Sequence, residues 1–366
     1  MIPVTKPFLP SREKLNTLID GIYERQWLTN NGVLVQELTQ RLEAYLGVEN
    51  LLLVSNGTLA LQIAYRALGI VDENNAATPE AITTPFTFIA TASSLKWEGV
   101  QPVFADIEAN TWCLDPEKIE AAITPNTRAI VPVHVFGNAC DVEAIDSIAR
   151  RHDLKVVYDA AHAFGVRFKD KSLLSYGDAS TLSFHATKLF HTIEGGAIVF
   201  KRNEDLERAK KLINFGITGP ESIEELGINA KMNEFQAAMG LCVLDEIKAN
   251  LKARATVTRH YDEHLPASLQ RQSWNADASK NHAYLPVVFQ AEEQALVALN
   301  RLAESGITAR RYFYPSLDQV DLKMGTGKAM AISRDIASRI LCLPVYAQLS
   351  RKELIRITGI VKEVVD

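Results

Sequence analysis

The chain has 366 residues, 47% of them hydrophobic and 23% charged, with a formal net charge of −5. That is the make-up of a globular protein long enough to divide into a large domain and a smaller one, and it excludes a globally basic nucleic-acid binder, because Lys and Arg are scattered and form no stripe. No run approaches the 18 apolar residues of a membrane span, the first residues carry no apolar leader, and Cys113, Cys140, Cys242 and Cys342 never form a Cys-x-x-Cys pair, so a cytoplasmic protein with free buried thiols is expected.

In chain order, the first 50 residues read as a proline-marked extended start, an amphipathic helix over 11–24, the polar turn Trp27-Leu28-Thr29-Asn30-Asn31-Gly32 and a second helix over 33–46. The turn has Asn-Gly chemistry, yet it carries a tryptophan that a mere connector would not need; an indole packed on the core is the plain alternative. From residue 51, short apolar runs alternate with helical patterns. The strands fall over 51–54, 81–84, 102–105, 129–135, 155–159, 179–184 and 196–200, and the helices over 58–68, 88–97, 116–122 and 141–152. Such alternation specifies an α/β protein: a mostly parallel seven-stranded sheet, covered by helices on both faces, with its ligand at the carboxyl ends of the strands. Beyond the sheet, Asn203 caps a helix over 204–214 and a Gly-containing loop fills 215–231. One long helix then runs from about Asn233 past 260 as a bridge, with Phe235, Met239, Cys242, Leu244 and Ile247 on one stripe. A strand over 285–289, helices over 292–305 and 328–340, and a last helix opened by the capping-box spacing of Ser350 and Glu353 make a small α+β domain. The expected division is 1–245 and 246–366.

Three strand ends carry chemistry. The first delivers Ser55-Asn56-Gly57-Thr58 into a helix start, where glycine permits close backbone approach and Thr58 adds a hydroxyl to free N–H groups, which makes a phosphate site. The plain alternative is a strand-to-helix turn capped by Thr58. The fifth ends in Asp159, followed by Ala160-Ala161-His162; a carboxylate after a buried strand is costly unless a cation such as a protonated pyridine, or good donors, meet it. A helix cap is the alternative for Asp159, and a hydrogen-bonded packing role for His162. The sixth delivers Ser183 and, five residues later, Lys188, whose amine beside a cationic ring and away from water is lowered in pKa and nucleophilic enough to form an imine. Phe88, after the second strand, is placed to stack on a flat ring, or else to join the core. Arg310, Arg311 and Tyr312 are either anion-binding or surface residues. Histidines and acids show no metal-ligand spacing.

These residues resemble the sugar-nucleotide aminotransferases of the DegT/DnrJ/StrS group, which use pyridoxal phosphate and have the fold-type-I, aspartate-aminotransferase-like architecture. The likeness covers essentially the whole chain. Its signatures run from Trp27 to Gly32 and through Ser55-Asn56-Gly57-Thr58, Thr84-Pro85-Phe86-Thr87-Phe88, Asp159-Ala160-Ala161-His162, Ser183 to Lys188, Glu194-Gly195-Gly196, Gly227-Ile228-Asn229, Asn233 to Ala238, and Leu343-Pro344-Val345-Tyr346. The resemblance implies that Lys188 forms the imine with the cofactor and moves the proton, that Gly57, Thr58 and Ser183 hold its phosphate, that Asp159 pairs with the ring nitrogen, that Phe88 stacks on one face and that His162 sits at the other polar edge. It further implies that Asn229, in preference to Asn233, reaches the phosphate of the neighbouring subunit, which makes a homodimer obligatory. One departure stands out: Ile193 occupies a position where glycine is frequent, so a positive φ is not expected there.

A branch of the family that performs dehydration has histidine at the lysine position, so Lys188 favours amino transfer. The implied reaction carries the amino group of L-glutamate, through pyridoxamine phosphate, to C4 of a nucleotide-linked 4-keto-6-deoxy sugar, with dTDP-4-keto-6-deoxyglucose foremost. The product is an amino sugar for a surface polysaccharide or a glycosylated metabolite. The alternatives are amino transfer at C3 of a dTDP-3-keto sugar, another pyridoxal-phosphate enzyme such as a lyase or desulfurase, or a non-catalytic regulatory dimer.

Overall fold

The computed structural model describes residues 1–71, 77–322, 324 and 328–365. All seven expected strands are present: β1 (Leu51–Val54), β2 (Glu80–Thr83), β3 (Gln101–Phe104), β4 (Thr127–Val131), β5 (Lys155–Asp159), β6 (Ala179–Ser183) and β7 (Gly196–Phe200). They lie side by side in the order β1-β7-β6-β5-β4-β2-β3. Neighbours from β3 across to β6 are parallel, whereas β7 runs antiparallel to both β6 and β1. Every residue of β1 and β7 is buried, as a sheet covered on both faces requires, which explains why these strands read as continuous apolar runs.

One apolar core packs the inner helices Val33–Leu46 and Glu234–Asp245 against one face of the sheet, and a second packs Gly57–Ala67 and Asn203–Leu212 against the other. A third core, built from Val257, Tyr261, Val287, Leu302, Ile357 and Val361, lies in the C-terminal part, where Pro286–Val288 pairs antiparallel with Ile340–Cys342. Ile2 joins it, pairing with Ile307. Among the described residues no helix is long and apolar enough to cross a membrane. All four cysteines are free and buried.

Several expectations need correction. The long bridge is two helices, Glu234–Asp245 and Ile247–His264, broken at Glu246. Neither proline nor glycine causes the break. At the break Glu246 accepts the Ser11 N–H at 2.9 Å and Asp245 holds Arg41 at 2.5 Å, so side-chain demand from the N-terminal segment sets it. The expected helix over 328–340 is Ala331–Arg339, and its last expected residue starts the strand Ile340–Cys342, which the periodicity missed. The helix over 116–122 is one α turn, Pro116–Ile119, followed by a 3-10 turn. For Trp27 it is the plain alternative of core packing that falls: the residue is 45% exposed and donates its indole N–H to Thr29 O at 2.6 Å, bracing its own turn.

The fully buried Glu234 carboxylate ties the helix that follows this turn to the start of Glu234–Asp245. It accepts the N–H groups of Leu34 at 3.0 Å and Val35 at 2.9 Å, at the N-terminus of Val33–Leu46, where donors are unpaired and the dipole favours an anion. Glu234→Ala leaves both donors buried and unsatisfied and is expected to cost about 3 kcal/mol, read as a fall in the urea midpoint at unchanged slope.

Candidate active site

The phosphate turn forms because Asn56 leaves β1 in extended geometry and caps Gly57–Ala67, its side chain accepting the Leu59 N–H at 2.9 Å. The cap is therefore Asn56, not Thr58, and the Thr58 hydroxyl remains available. A Cβ at Gly57 would lie 2.8 Å from Ser183 Cβ, so only glycine lets the ends of β1 and β6 approach. Gly196 closes the same corner: a Cβ there would stand 2.6 Å from Asn56 O.

Lys188 follows β6 on a turn closed by its own N–H to His185 O at 2.9 Å. Behind the turn, Phe164 stacks on Phe190 at 4.6 Å, and Phe190 meets Phe184 edge-on at 4.8 Å, fixing the turn from the apolar side. The chain then returns to β7 through Ile193, whose φ is 71°. The expectation that a β-branched residue would avoid this region is wrong. The conformation is imposed from both sides: Ile193 N–H donates to His191 Nδ1 at 3.3 Å, and Glu194 O accepts from Thr192 Oγ1 and Gln236 Nε2, each at 2.7 Å. Holding it costs on the order of 1–3 kcal/mol.

At the end of β5, Asp159 is buried and held by two donors, Thr91 Oγ1 at 2.7 Å and Ala161 N–H at 3.1 Å. Burial pushes its carboxyl above the ordinary range, against these donors and the Lys188 charge, which pull it down. Burial also lowers the Lys188 amine, with Asp159 and Tyr312 opposing. His162 is buried beside Phe136 and Phe313, the three near-parallel rings forming a triangle with centroids 6.1, 5.8 and 5.6 Å apart. Its Nδ1 accepts the Phe136 N–H at 3.2 Å, and burial holds it well below the usual imidazole range, so the ring is neutral with its proton on Nε2.

One cavity of about 430 Å³ collects Gly57, Thr58, Phe88, Asp159, His162, Ser183 and Lys188. Phe88 is 57% exposed and faces this cavity instead of joining the core. Asn229 is exposed and lies outside the cavity lining, bridged to Asn214. Asn233 is committed elsewhere, capping Glu234–Asp245 in a capping box with Gln236. Arg310 and Arg311 part company. Arg310 lines the cavity, whereas Arg311 ion-pairs with Glu292 at 2.6 Å and stacks on Tyr314. Larger cavities, of about 490 and 710 Å³, bring none of these residues together.

The donor set suits a flat, phosphorylated, nitrogen-containing aromatic. The glycine corner, with helix N–H groups and hydroxyls, has the chemistry to hold a phosphate, and the buried carboxylate has the chemistry to hold a cation. Sequence reasoning missed two members. Thr91 stands in a stretch noted only for its aromatics, and Tyr284, whose hydroxyl accepts from Lys188 Nζ at 3.2 Å, precedes an apolar strand with no motif to mark it.

The comparisons with known proteins agree with this geometry. Residues 11–362 match the DegT/DnrJ/EryC1/StrS aminotransferase family. The chain is 41% identical over 367 residues to a dTDP-4-amino-4,6-dideoxy-D-glucose transaminase of Shigella dysenteriae, covering 99% of this chain and 98% of that one. It is 37% identical over 369 residues to a protein of the same name from Escherichia coli, covering 98% and 97%. Among solved structures, DesI in the presence of its TDP-sugar product superposes with a TM-score of 0.92 at 32% identity, over all of this chain and 93% of that one. With its seven-stranded sheet, its cavity at the strand ends and a family match spanning nearly its whole length, the chain belongs to the DegT/DnrJ/EryC1/StrS aminotransferases.

Proposed function

We propose that this aminotransferase uses pyridoxal phosphate to move the amino group of L-glutamate to C4 of a nucleotide-linked 4-keto-6-deoxy sugar, with dTDP-4-keto-6-deoxyglucose as the first substrate to try. The observation that carries the reading is the convergence of a buried amine, Lys188, and a buried carboxylate, Asp159, in the cavity that also holds the Gly57–Ser183 corner. Pyridoxal phosphate, when bound, supplies an electron-accepting ring that lets an amino group pass between carbonyl carbons. Gly57, Thr58 and Ser183 would hold its phosphate, Asp159 its ring nitrogen, Phe88 one face and His162, through Nε2–H, its polar edge. Lys188 holds the proton at Nζ and delivers it, a task suited to an amine whose pKa burial has lowered.

Among the described residues the Arg310 guanidinium has no carboxylate partner; it donates to the Tyr312 hydroxyl at 3.4 Å and is offered to the diphosphate of the sugar nucleotide. The C4 position is supported by the names of the two relatives, both of which describe a 4-amino product. A cytoplasmic homodimer completes the proposal. It is supported by Asn229, which is exposed in its own chain, and by Phe215, Ile217, Ile223, Leu226 and Ile228, exposed apolar residues along the same loop. A division at 245/246 is likewise proposed, supported by the separate third core, with Ile2 crossing over to it. Incubating the purified protein with glutamate, pyridoxal phosphate and dTDP-4-keto-6-deoxyglucose, and locating the new amine by NMR, is expected to place it on C4. An amine on C3, or none, overturns the assignment.

A further inference from the structure

Among the described residues, the Lys188 amine has one hydrogen-bond partner, and it is neither Asp159 nor His162. It is the hydroxyl of Tyr284, at 3.2 Å, contributed by the C-terminal part of the chain. The ring of Tyr284 is fixed on three sides. It leans on His162 at 4.5 Å, on Phe136 at 5.5 Å, and on Tyr312 edge-on at 6.3 Å. A phenol clamped in this way presents its oxygen to one place in the cleft.

The backbone on either side of this contact hangs from one pair of buried side chains. Asn250 and Arg254 lie one turn apart on the helix Ile247–His264 and are almost completely buried. Asn250 Nδ2 donates to Leu189 O at 3.2 Å, the carbonyl next after Lys188. Arg254 Nη1 donates to Ala283 O at 3.3 Å, the carbonyl just before Tyr284, and to Val345 O at 3.2 Å, while its Nε donates to Asn250 Oδ1 at 3.3 Å. No carboxylate answers this guanidinium among the described residues. A buried charge that meets only neutral acceptors is costly, and a packed apolar side chain fills a core at less expense. What Arg254 and Asn250 add, and an apolar residue does not, is a fixed register between the two segments whose side chains meet as Lys188 and Tyr284.

We propose that Tyr284 is a positioning residue for Lys188, its hydroxyl holding the lysine amine in the cleft whenever that amine is free, and that Asn250 and Arg254 set the register of this pair. The inference rests on the reading of Lys188 as the cofactor lysine. During transfer the lysine must release its carbon and stand ready to receive and return a proton, and a long flexible side chain with no partner would wander over many rotamers at that moment. The groups that face the amine are the Asp159 carboxylate, the neutral His162 ring and the hydroxyls of Tyr284 and Tyr312, with Arg310 behind Tyr312.

The test uses the full-length protein and Tyr284→Phe, which keeps the ring and its packing. In the cofactor-free protein, acetic anhydride is applied across a pH series and acetylated Lys188 is counted by peptide mass spectrometry. The Tyr284 oxygen accepts from the charged amine, so its loss disfavours the charged form, and the midpoint of Lys188 reactivity is expected to fall by about one pH unit, a tenfold change in proton affinity. In the loaded enzyme kcat is expected to drop at least about tenfold while KM for glutamate and for the sugar nucleotide stays within about twofold. Arg254→Lys, which keeps the charge and loses the fork, is expected to move both readouts in the same direction. A reactivity curve of Tyr284→Phe that superposes on wild type, or an unchanged kcat, overturns the role of Tyr284, and unchanged readouts in Arg254→Lys overturn the role of Arg254. Wild-type protein that develops no visible absorption band with pyridoxal phosphate would instead overturn the functional reading, and the acetylation midpoints would still judge the contact.

Discussion

Lys188→Ala protein is expected to fold normally, to show no visible band of lysine-bound cofactor, and to lose turnover by at least about 10⁴-fold. The size follows from the two purposes proposed for Lys188 at one atom, attachment and proton delivery, neither of which a neighbour would inherit. Asp159 is a carboxylate held by two donors, His162 is neutral with Nδ1 already engaged, and Tyr284 is a phenol that burial keeps protonated. Folding is spared for a separate reason. Burial already disfavours the Lys188 charge, so removing it relieves a desolvation cost, and the shortened side chain lines an open cavity and leaves no hole in the core. Absorption spectra, thermal melts and single-turnover rates with glutamate check the three parts. Turnover near the wild-type rate in Lys188→Ala would discard the mechanism and leave the fold intact.

Asp159→Asn is expected to reduce kcat on the order of 10³-fold, because the isosteric amide cannot hold a proton on a ring nitrogen by charge. The same substitution is expected to stabilise the cofactor-free protein. Burial raises the folded-state pKa of Asp159 above its unfolded value, so the stability this group contributes is fully present only below the unfolded carboxyl pKa and is lost as pH rises through the folded one. Above the folded pKa the buried carboxylate is therefore a liability, despite its two donors, that asparagine removes. Melting curves at pH 7 should show cofactor-free Asp159→Asn at or above wild type, with a smaller rise on adding pyridoxal phosphate. A variant that melts lower without cofactor and keeps the full cofactor-induced rise would make Asp159 a structural residue.

The sheet was legible because its strands are short and apolar, and strands covered on both faces leave that signature whichever way they run. β1 and β5 to β7 were placed within a residue at each end for this reason, and the family resemblance added the roles of residues at their ends. What was not legible depends on contacts between distant segments. The break at Glu246 answers to Ser11, the left-handed Ile193 is held by Gln236, and the partner of Lys188 is 96 residues away at Tyr284. Local propensity favours a continuous helix and a relaxed isoleucine, and tertiary hydrogen bonds override it in both places. Thr91 and Asn56 were hidden differently: each sits beside a more conspicuous residue, Phe88 and Thr58, that drew the role to itself.

The reversed direction of β7 brings its first residue, Gly196, to the same edge of the sheet as the last residues of β1 and β6. Gly196 is the register partner of both Val54 and Ser183, so the phosphate corner and the lysine turn are joined through a single residue. They cannot shift independently. The two anchors proposed for the cofactor therefore form a preorganised clamp whose ordering entropy is met when the sheet folds and not when the ligand arrives. The same cavity is completed by Tyr284, Arg310 and Tyr312, which come from the C-terminal third of the chain.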